Sequence, residues 1–235
     1  MKEKVKLSKR LITIANFISK GAYFADIGSD HGYLACYVCQ NDPSAKAIAS
    51  EVSNGPFLRT KETIEHYRLT ERIEARLGNG LTVLEESDPV NEIVIAGMGG
   101  ALITQILEDG RDKLLNINKI IAQPNNNEDR VRKFFLDNGY HLVHEVILEE
   151  NNQIYEILVA ERKGISLYLA DENLEKQLFF GPLLMKEKSE VFRKKWQAEK
   201  EKIEKILTQI ENRDVDHDKI RSFQRKLSWI EEVLT

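Results

Sequence analysis

Cysteine is nearly absent from this chain of 235 residues: Cys36 and Cys39 are its two. They cannot build a disulfide framework, which suits a reducing cytoplasm. A structural zinc site needs four ligands and there is no second cysteine pair, so no metal is expected. The two thiols read as small packing residues on a helix. No run of about 18 apolar residues occurs, so no membrane span is expected. Low-complexity stretches and domain-scale repeats are missing as well. The opening "KEKVKLSKR" followed by "LITIANFIS" imitates a signal peptide, but no A-x-A-like cleavage site follows Ile18. Leu11, Ile12, Ile14, Ala15 and Ile18 share one helical face instead, as in an amphipathic helix of a mature protein.

With 42% hydrophobic and 31% charged residues and a formal net charge of −4, the composition is that of an ordinary globular protein. Mild acidity argues weakly against nucleic acid, although distribution matters more than the sum, and no DNA partner is expected. Lys2, Lys4, Lys6, Lys9 and Arg10 crowd the first ten residues against a single acid, Glu3. That cluster is either a solvated helix start or a set of phosphate contacts.

From Tyr23 to about Glu161 short β-like runs alternate with helical patterns. Strands are expected at 23–27, 46–51, 72–77, 91–96 and 118–122. Between them "YLACYVCQ", "PFLRTKETIEHY", "ALITQILEDG" and "EDRVRKFFLDNG" carry apolar residues at helical spacing. This alternation predicts an α/β fold with a parallel sheet. "HLVHEVILEE" and "QIYEILVAER" flank the turn dipeptide Asn151-Asn152 and predict a hairpin closing one edge. After about residue 165 good helix formers take over, interrupted by Gly181-Pro182. Trp196, Ile203 and Ile210 recur every seven residues, with Phe192 and Ile206 at the companion position. Beyond the polar "NRDVDHD", Ile220, Phe223, Leu227, Ile230 and Leu234 continue the pattern. Residues 166–235 are therefore expected to form a helical coiled-coil hairpin, distinct from a unit over 1–165.

The decisive stretch is "FADIGSDHGYL". A strand ends in Asp26 and Gly28, and a helix resumes after Gly32. A dinucleotide turn would read G-x-G-x-x-G, and the middle glycine is lacking. Asp30 would set a carboxylate where phosphates belong at a helix N-terminus. A P-loop is also missing. S-adenosylmethionine fits better, because it carries a sulfonium and an ammonium and no phosphate. Glu51, ending the next strand, can accept both ribose hydroxyls. Asn79, beside Gly80 in "LGNGL", can bond an adenine edge. "IVIAGMGG" puts Gly97 and Met98 in a loop at the end of the fourth strand, and no Asp-Pro-Pro-Tyr-like motif is present. This is the layout of a Rossmann-like class I methyltransferase.

Taken together, "DIGSDHGYL", "AGMGG", "QPN", the run ending "RKFFLDNGY" and "YEI" resemble the bacterial tRNA adenine-N1-methyltransferases that modify position 22. The resemblance covers nearly the whole chain, with "LACYVC" as its one departure. It implies S-adenosylmethionine as donor and an adenine of the tRNA D-arm as acceptor. The chemistry then needs negative potential near the target ring, which Asp30 can supply unless it merely caps the following helix. His31 can relay a proton or bond backbone within the turn. Gln123 and Asn125 can hold the adenine edge or form an ordinary polar loop. Tyr33 and Met98 can flank the base or simply pack. Lys6, Lys9, Arg10, Arg193, Lys194 and Lys195 are the candidate phosphate contacts. The alternatives are a methyltransferase of ribosomal RNA or a small molecule, or a non-catalytic adaptor with a degenerate fold. A monomer in the cytoplasm is expected.

Overall fold

The computed structural model describes residues 3–169, 173–210 and 217–235. Seven strands form one sheet: β1 (Tyr23–Ile27), β2 (Lys46–Glu51), β3 (Ile73–Leu77), β4 (Glu92–Met98), β5 (Lys119–Pro124), β6 (His141–Glu150) and β7 (Gln153–Glu161). Their spatial order is β3-β2-β1-β4-β5-β7-β6. The first five are parallel, and the β6–β7 hairpin adds β7 antiparallel to β5. Helices α1 (Lys9–Ala15), α2 (Tyr33–Asn41), α3 (Asn54–His66), α4 (Gly100–Asp109) and α5 (Glu128–Asp137) cover the sheet.

Strands buried on both faces read as largely apolar runs, which is why β1, β2, β4 and β5 were legible. Strand β3, at the sheet edge, alternates Ile73, Ala75 and Leu77 with Glu74 and Arg76. In β1, Ala25 and Ile27 face one core with Ile93, Ile95, Ile103 and Phe135. Phe24 faces the other with Leu34, Ala47 and Val94. Cys36 and Cys39 are fully buried there as free thiols, and burial pushes both up to about 12. They are packing residues.

The C-terminal helices are α6 (Leu174–Phe180), α7 (Pro182–Glu187), α8 (Glu190–Ile210) and α9 (His217–Leu234). They enclose a third core around Phe180, Phe192, Trp196, Ile203 and Ile230. Helices α8 and α9 run antiparallel: Arg193 near the start of α8 donates to the carbonyl of Leu234, and Lys200 pairs with Glu231 at 3.0 Å. Phe223, Leu227, Ile230 and Leu234 pack into the seam as expected, with Val233 buried beside Leu234. Leu207 packs into it where Ile206 was expected. The side chain of Ile210 and most of the expected turn lie outside the described residues.

A buried ionic network joins this helical unit to the sheet. Arg132 on α5 is fully buried and donates to Glu145 of β6 at 2.6 Å and Glu156 of β7 at 2.5 Å. It also donates to the carbonyl of Leu178 at 3.1 Å. From α8, Lys195 reaches both Glu156 and Glu128 at 2.6 Å. Gly181 sits against this network with φ +87°, and a Cβ there would overlap Glu145 and Arg132. Only glycine fits that junction.

Candidate active site

At the C-terminal ends of β1 and β4 lies a cleft of about 640 Å³. Asp26, the turn Gly28–His31, Tyr33, Gly97 and Met98 line it from the sheet side. Arg10 from α1, Asn125 after β5, and Gln153 and Tyr155 of β7 close the opposite wall. A cleft beyond the carboxyl ends of strands, where the order reverses, is the expected ligand position in an open α/β sheet.

The turn is built from unusual backbone. Gly28, Asp30, His31 and Gly32 all have positive φ, from 43° to 75°. Two non-glycine residues in succession there represent stored strain, which clusters at ligand sites. The amides of Gly28 and Ser29 both donate to the carbonyl of Ser50 at 3.0 Å, tying the turn to β2. Gly32 begins α2 with no side-chain cap, so Asp30 does not serve as the helix cap. Its carboxylate is 93% exposed at the cleft mouth, 3.5 Å from His31 Nε2. His31 Nδ1 is buried without a partner among the described residues, so no backbone bond within the turn is seen there.

Asp26 is the informative group. It is 3% exposed and its Oδ2 has no hydrogen-bond partner among the described residues. Burial, then the nearby charges of Glu51 and Asp30, raise it to about 7. Glu51 is also buried, and one of its oxygens accepts from Ser29 Oγ at 3.0 Å. Glu51 does not line the cleft itself; Ser29, which does, stands between. Asn79 and Gly80 lie further along the same edge: Gly78 donates its amide to the carbonyl of Glu51 at 2.8 Å, and Asn79 is exposed. Two buried carboxylates with no cation between them among the described residues, one carrying an unpartnered oxygen at the cleft, form an acceptor set for a cationic, hydroxylated ligand. The residues present therefore fit S-adenosylmethionine.

The opposite wall differs from expectation. Gln123 is fully buried and does not line the cleft. Its Oε1 accepts from the Arg10 guanidinium and from Gly97 N–H, the latter at 3.1 Å. Its Nε2 donates to the Pro124 carbonyl at 2.9 Å and to Asn125 Oδ1 at 3.1 Å. Gln123 is thus a hub that positions Arg10 and the loop after β4, not a group held out to an adenine. Asn125 reaches the cleft while donating to the Gly97 carbonyl at 2.7 Å. Gly100 packs so closely on the next loop that a Cβ would overlap the carbonyl oxygens of Asn126 and Asn127.

Arg10 lies over the Tyr155 ring at 5.2 Å, which holds it on the cleft wall. The amides of Lys9 and Arg10 donate to Glu150 at 2.6 and 3.2 Å. Lys6 and Lys9 stand nearby on the N-terminal segment, and Lys2 is outside the described residues. The α8 cluster is distant in role. Lys195, expected as a phosphate contact, instead sits within the ionic network; Lys194 pairs with Glu149 at 2.6 Å, and Arg193 is spent on Leu234. Ser29, Gln153 and Tyr155 are cleft residues the sequence reading left unassigned. Tyr155 stood in the quoted "YEI", and only the pairing of β7 with β5 shows that this strand borders the cleft.

The strand order, the glycine turn after β1 and the acid closing β2 define a class I S-adenosylmethionine-dependent methyltransferase. The model of the tRNA (adenine(22)-N(1))-methyltransferase family matches residues 24–232, and the chain belongs to that family. It is 41% identical to a tRNA (adenine(22)-N(1))-methyltransferase of Bacillus subtilis over 98% of both chains. The crystal structure of the B. subtilis m1A22 tRNA methyltransferase superposes with a TM-score of 0.91 at 40% identity, covering 99% of this chain and 100% of that one. A Streptococcus pneumoniae relative solved in complex with S-adenosyl-L-methionine is 42% identical, with a TM-score of 0.86 over 98% of this chain and 100% of that one. Among the described residues no helix is long and apolar enough to cross a membrane.

Proposed function

We propose that this enzyme methylates N1 of adenine 22 in the tRNA D-arm, with S-adenosylmethionine as donor. The observation that carries the reading is membership of the tRNA (adenine(22)-N(1))-methyltransferase family over residues 24–232. The geometry supports it. When bound, S-adenosylmethionine supplies a methyl carbon made electrophilic by its sulfonium. Asp26 would meet the ammonium of its amino-acid end with Oδ2, which has no partner among the described residues. Glu51, steadied by Ser29, would accept the ribose hydroxyls, and Asn79 with Gly80 would border the adenine.

Adenine N1 would present its in-plane lone pair to that methyl carbon, and the residues around it need only align the two. No proton must leave first. The methylated base is a cation, and catalysis therefore consists of positioning and of negative potential at the ring. In this reading Asp30 supplies that potential from the cleft mouth, with His31 beside it. Asn125 and Tyr33 hold the base, Gln123 fixes the wall behind them, and Gly97 leaves room where an exocyclic-amine methylase would place a prolyl-aromatic motif. A paired N1 edge is blocked, so the target must be unstacked into the cleft. Residues 1–165 carry donor and chemistry, while 166–235 form an RNA-facing helical unit, and the enzyme works as a monomer in the cytoplasm.

Unmodified tRNA incubated with enzyme and labelled donor should show a reverse-transcription stop at position 22 and a 1-methyladenosine mass. Replacing that adenine by guanine should abolish label. Label found only on ribosomal RNA or a metabolite would overturn the reading.

A further inference from the structure

We propose that a second groove, beside the cleft on the outer face of α3, is a subsite for a nucleotide adjoining the target adenosine; this rests on the tRNA reading above. The groove is about 460 Å³ and is lined by His31, Tyr33, Arg59, Thr63, His66 and Tyr67, with Glu62 at its rim. His31 and Tyr33 also line the methyl-transfer cleft, so the two depressions share one wall. A chain threaded through both would place one base in each.

The groove's chemistry is that of a nucleotide. Tyr33 is 41% exposed, an unusual position for a large ring, and meets His31 edge-on at 6.2 Å. His66 and Tyr67 form a second edge-on pair at 4.8 Å. Exposed ring faces offer stacking platforms that accept any base. Arg59, Glu62 or Thr63, and His66 recur at helical spacing, so they share one face of α3. Thr63 Oγ1 donates to the Arg59 carbonyl at 2.9 Å, but the exposed Arg59 guanidinium has no hydrogen bond or ion pair among the described residues, Glu62 included. A free guanidinium beside aromatic rings suits a phosphate linked to a stacked base. His66 Nε2 lies 3.1 Å from Glu3, so the N-terminal segment closes one end of the groove.

The groove also cannot drift relative to the cleft. Thr60, on the inward face of α3, has its hydroxyl 3.4 Å from Ser29 Oγ. Its methyl lies 3.0 Å from where a Cβ on Gly32 would be. The helix that carries Arg59 is therefore packed directly on the donor-binding turn. Such rigid coupling lets a neighbouring nucleotide set the position of the target base.

The test is steady-state kinetics on full-length protein with unmodified tRNA, alongside calorimetry with the donor product S-adenosylhomocysteine. Arg59→Glu should raise KM for tRNA about tenfold or more, leave product affinity within about twofold, and lower the salt-dependence slope by about one. His66→Ala should weaken tRNA affinity about tenfold through lost stacking. A photoreactive nucleotide at position 21 or 23 should crosslink to α3 in the wild-type complex. Unchanged KM and tRNA affinity in both variants, with crosslinks falling elsewhere, would overturn the subsite. Absence of 1-methyladenosine from the wild-type reaction would instead overturn the tRNA reading, so the two failures are distinguishable.

Discussion

Two sets of buried acids stabilise different things in this molecule. Glu145 and Glu156 are surrounded by cations: Arg132 bonds both, and Lys195 adds a bond to Glu156. Burial works to raise both carboxyls. At Glu156 Lys195 and Arg132 outweigh it and hold that group below its usual range. At Glu145, paired with Arg132 alone among the described residues, burial prevails and the group stays raised. Arg132 is likewise raised, because Glu145, Glu156 and Glu128 overcome the desolvation that opposes its charge. Asp26 and Glu51 are buried to a similar degree but have no cation bonded to them among the described residues, and burial with the charges of Glu51 and Asp30 raises Asp26 to about 7. Burial without a counter-ion is unfavourable unless something else supplies the charge. The paired set is complete as protein. The unpaired set is complete only with a cationic ligand, and this contrast separates scaffold from site.

The largest expected effect breaks the paired side. Arg132→Ala leaves two buried carboxylates without their shared cation, and removing one partner of such a cluster costs about 3–5 kcal/mol. Chemical denaturation should show that loss. Whatever remains folded should bind S-adenosylhomocysteine normally, because the network does not touch the cleft. A matched loss of donor affinity would mean that the two clusters are coupled.

Next comes the unpaired side. Glu51→Ala removes a charged hydrogen-bond acceptor, worth about 1.5–3 kcal/mol, and should weaken donor binding tenfold or more by calorimetry. Its effect on stability should be small, the reverse of the Arg132 result. Unchanged affinity in a folded Glu51→Ala protein would remove this residue from the ribose site.

Asp26 gives the comparison a pH axis. Its folded-state pKa of about 7 lies above the unfolded 3.8, so between those values the folded protein binds more protons than the unfolded chain. Stability of the ligand-free protein should therefore fall as pH rises from about 4 to 7, then level off. A cationic donor favours the ionised form. Donor affinity should rise with pH up to and slightly past 7, with a limiting slope of about tenfold per unit. Asp26→Asn should flatten both curves, as followed by thermal unfolding and calorimetry across pH 5 to 9. A donor affinity that stays level in the wild type would show that the ammonium is held elsewhere.

What could be read from the sequence follows the same division. Strands β1, β2, β4 and β5 were visible because strands covered on both faces are largely apolar, the edge strand β3 by its alternation, and the turn because Gly28 and Gly32 take left-handed backbone. Asp26 and Glu51 could be named because each ends a strand. Arg132 could not, since a charged residue in "EDRVRKFFLDNG" reads as solvent-facing. Its position beside Val131, Phe134 and Phe135 on the buried arc was the available signal. Lys195 was misplaced for the same reason: a basic run looks solvated until Glu128 and Glu156 are brought to it across 67 and 39 residues. Gln123 failed differently. Its place at a strand end was right, but β4, α1 and the following loop all compete for its amide.

The smallest effect tests the exposed edge of the paired side. Lys194 meets Glu149 at 2.6 Å, but its side chain is 60% exposed. An ion pair open to water contributes under about 1 kcal/mol, because solvent screens it and two long side chains must be ordered. Lys194→Ala should therefore barely move the unfolding midpoint, unlike Arg132→Ala. Its ammonium is nevertheless free to exchange a carboxylate for a phosphate. If residues 166–235 face RNA, tRNA affinity in Lys194→Ala should fall modestly at low salt and converge with wild type as salt is raised, with a slope smaller by about one. Filter binding between 50 and 300 mM salt, a range spanning Debye lengths of roughly 14 to 6 Å, would resolve this. Superimposable salt curves would confine Lys194 to its ion pair and leave the N-terminal Lys6, Lys9 and Arg10 as the phosphate contacts.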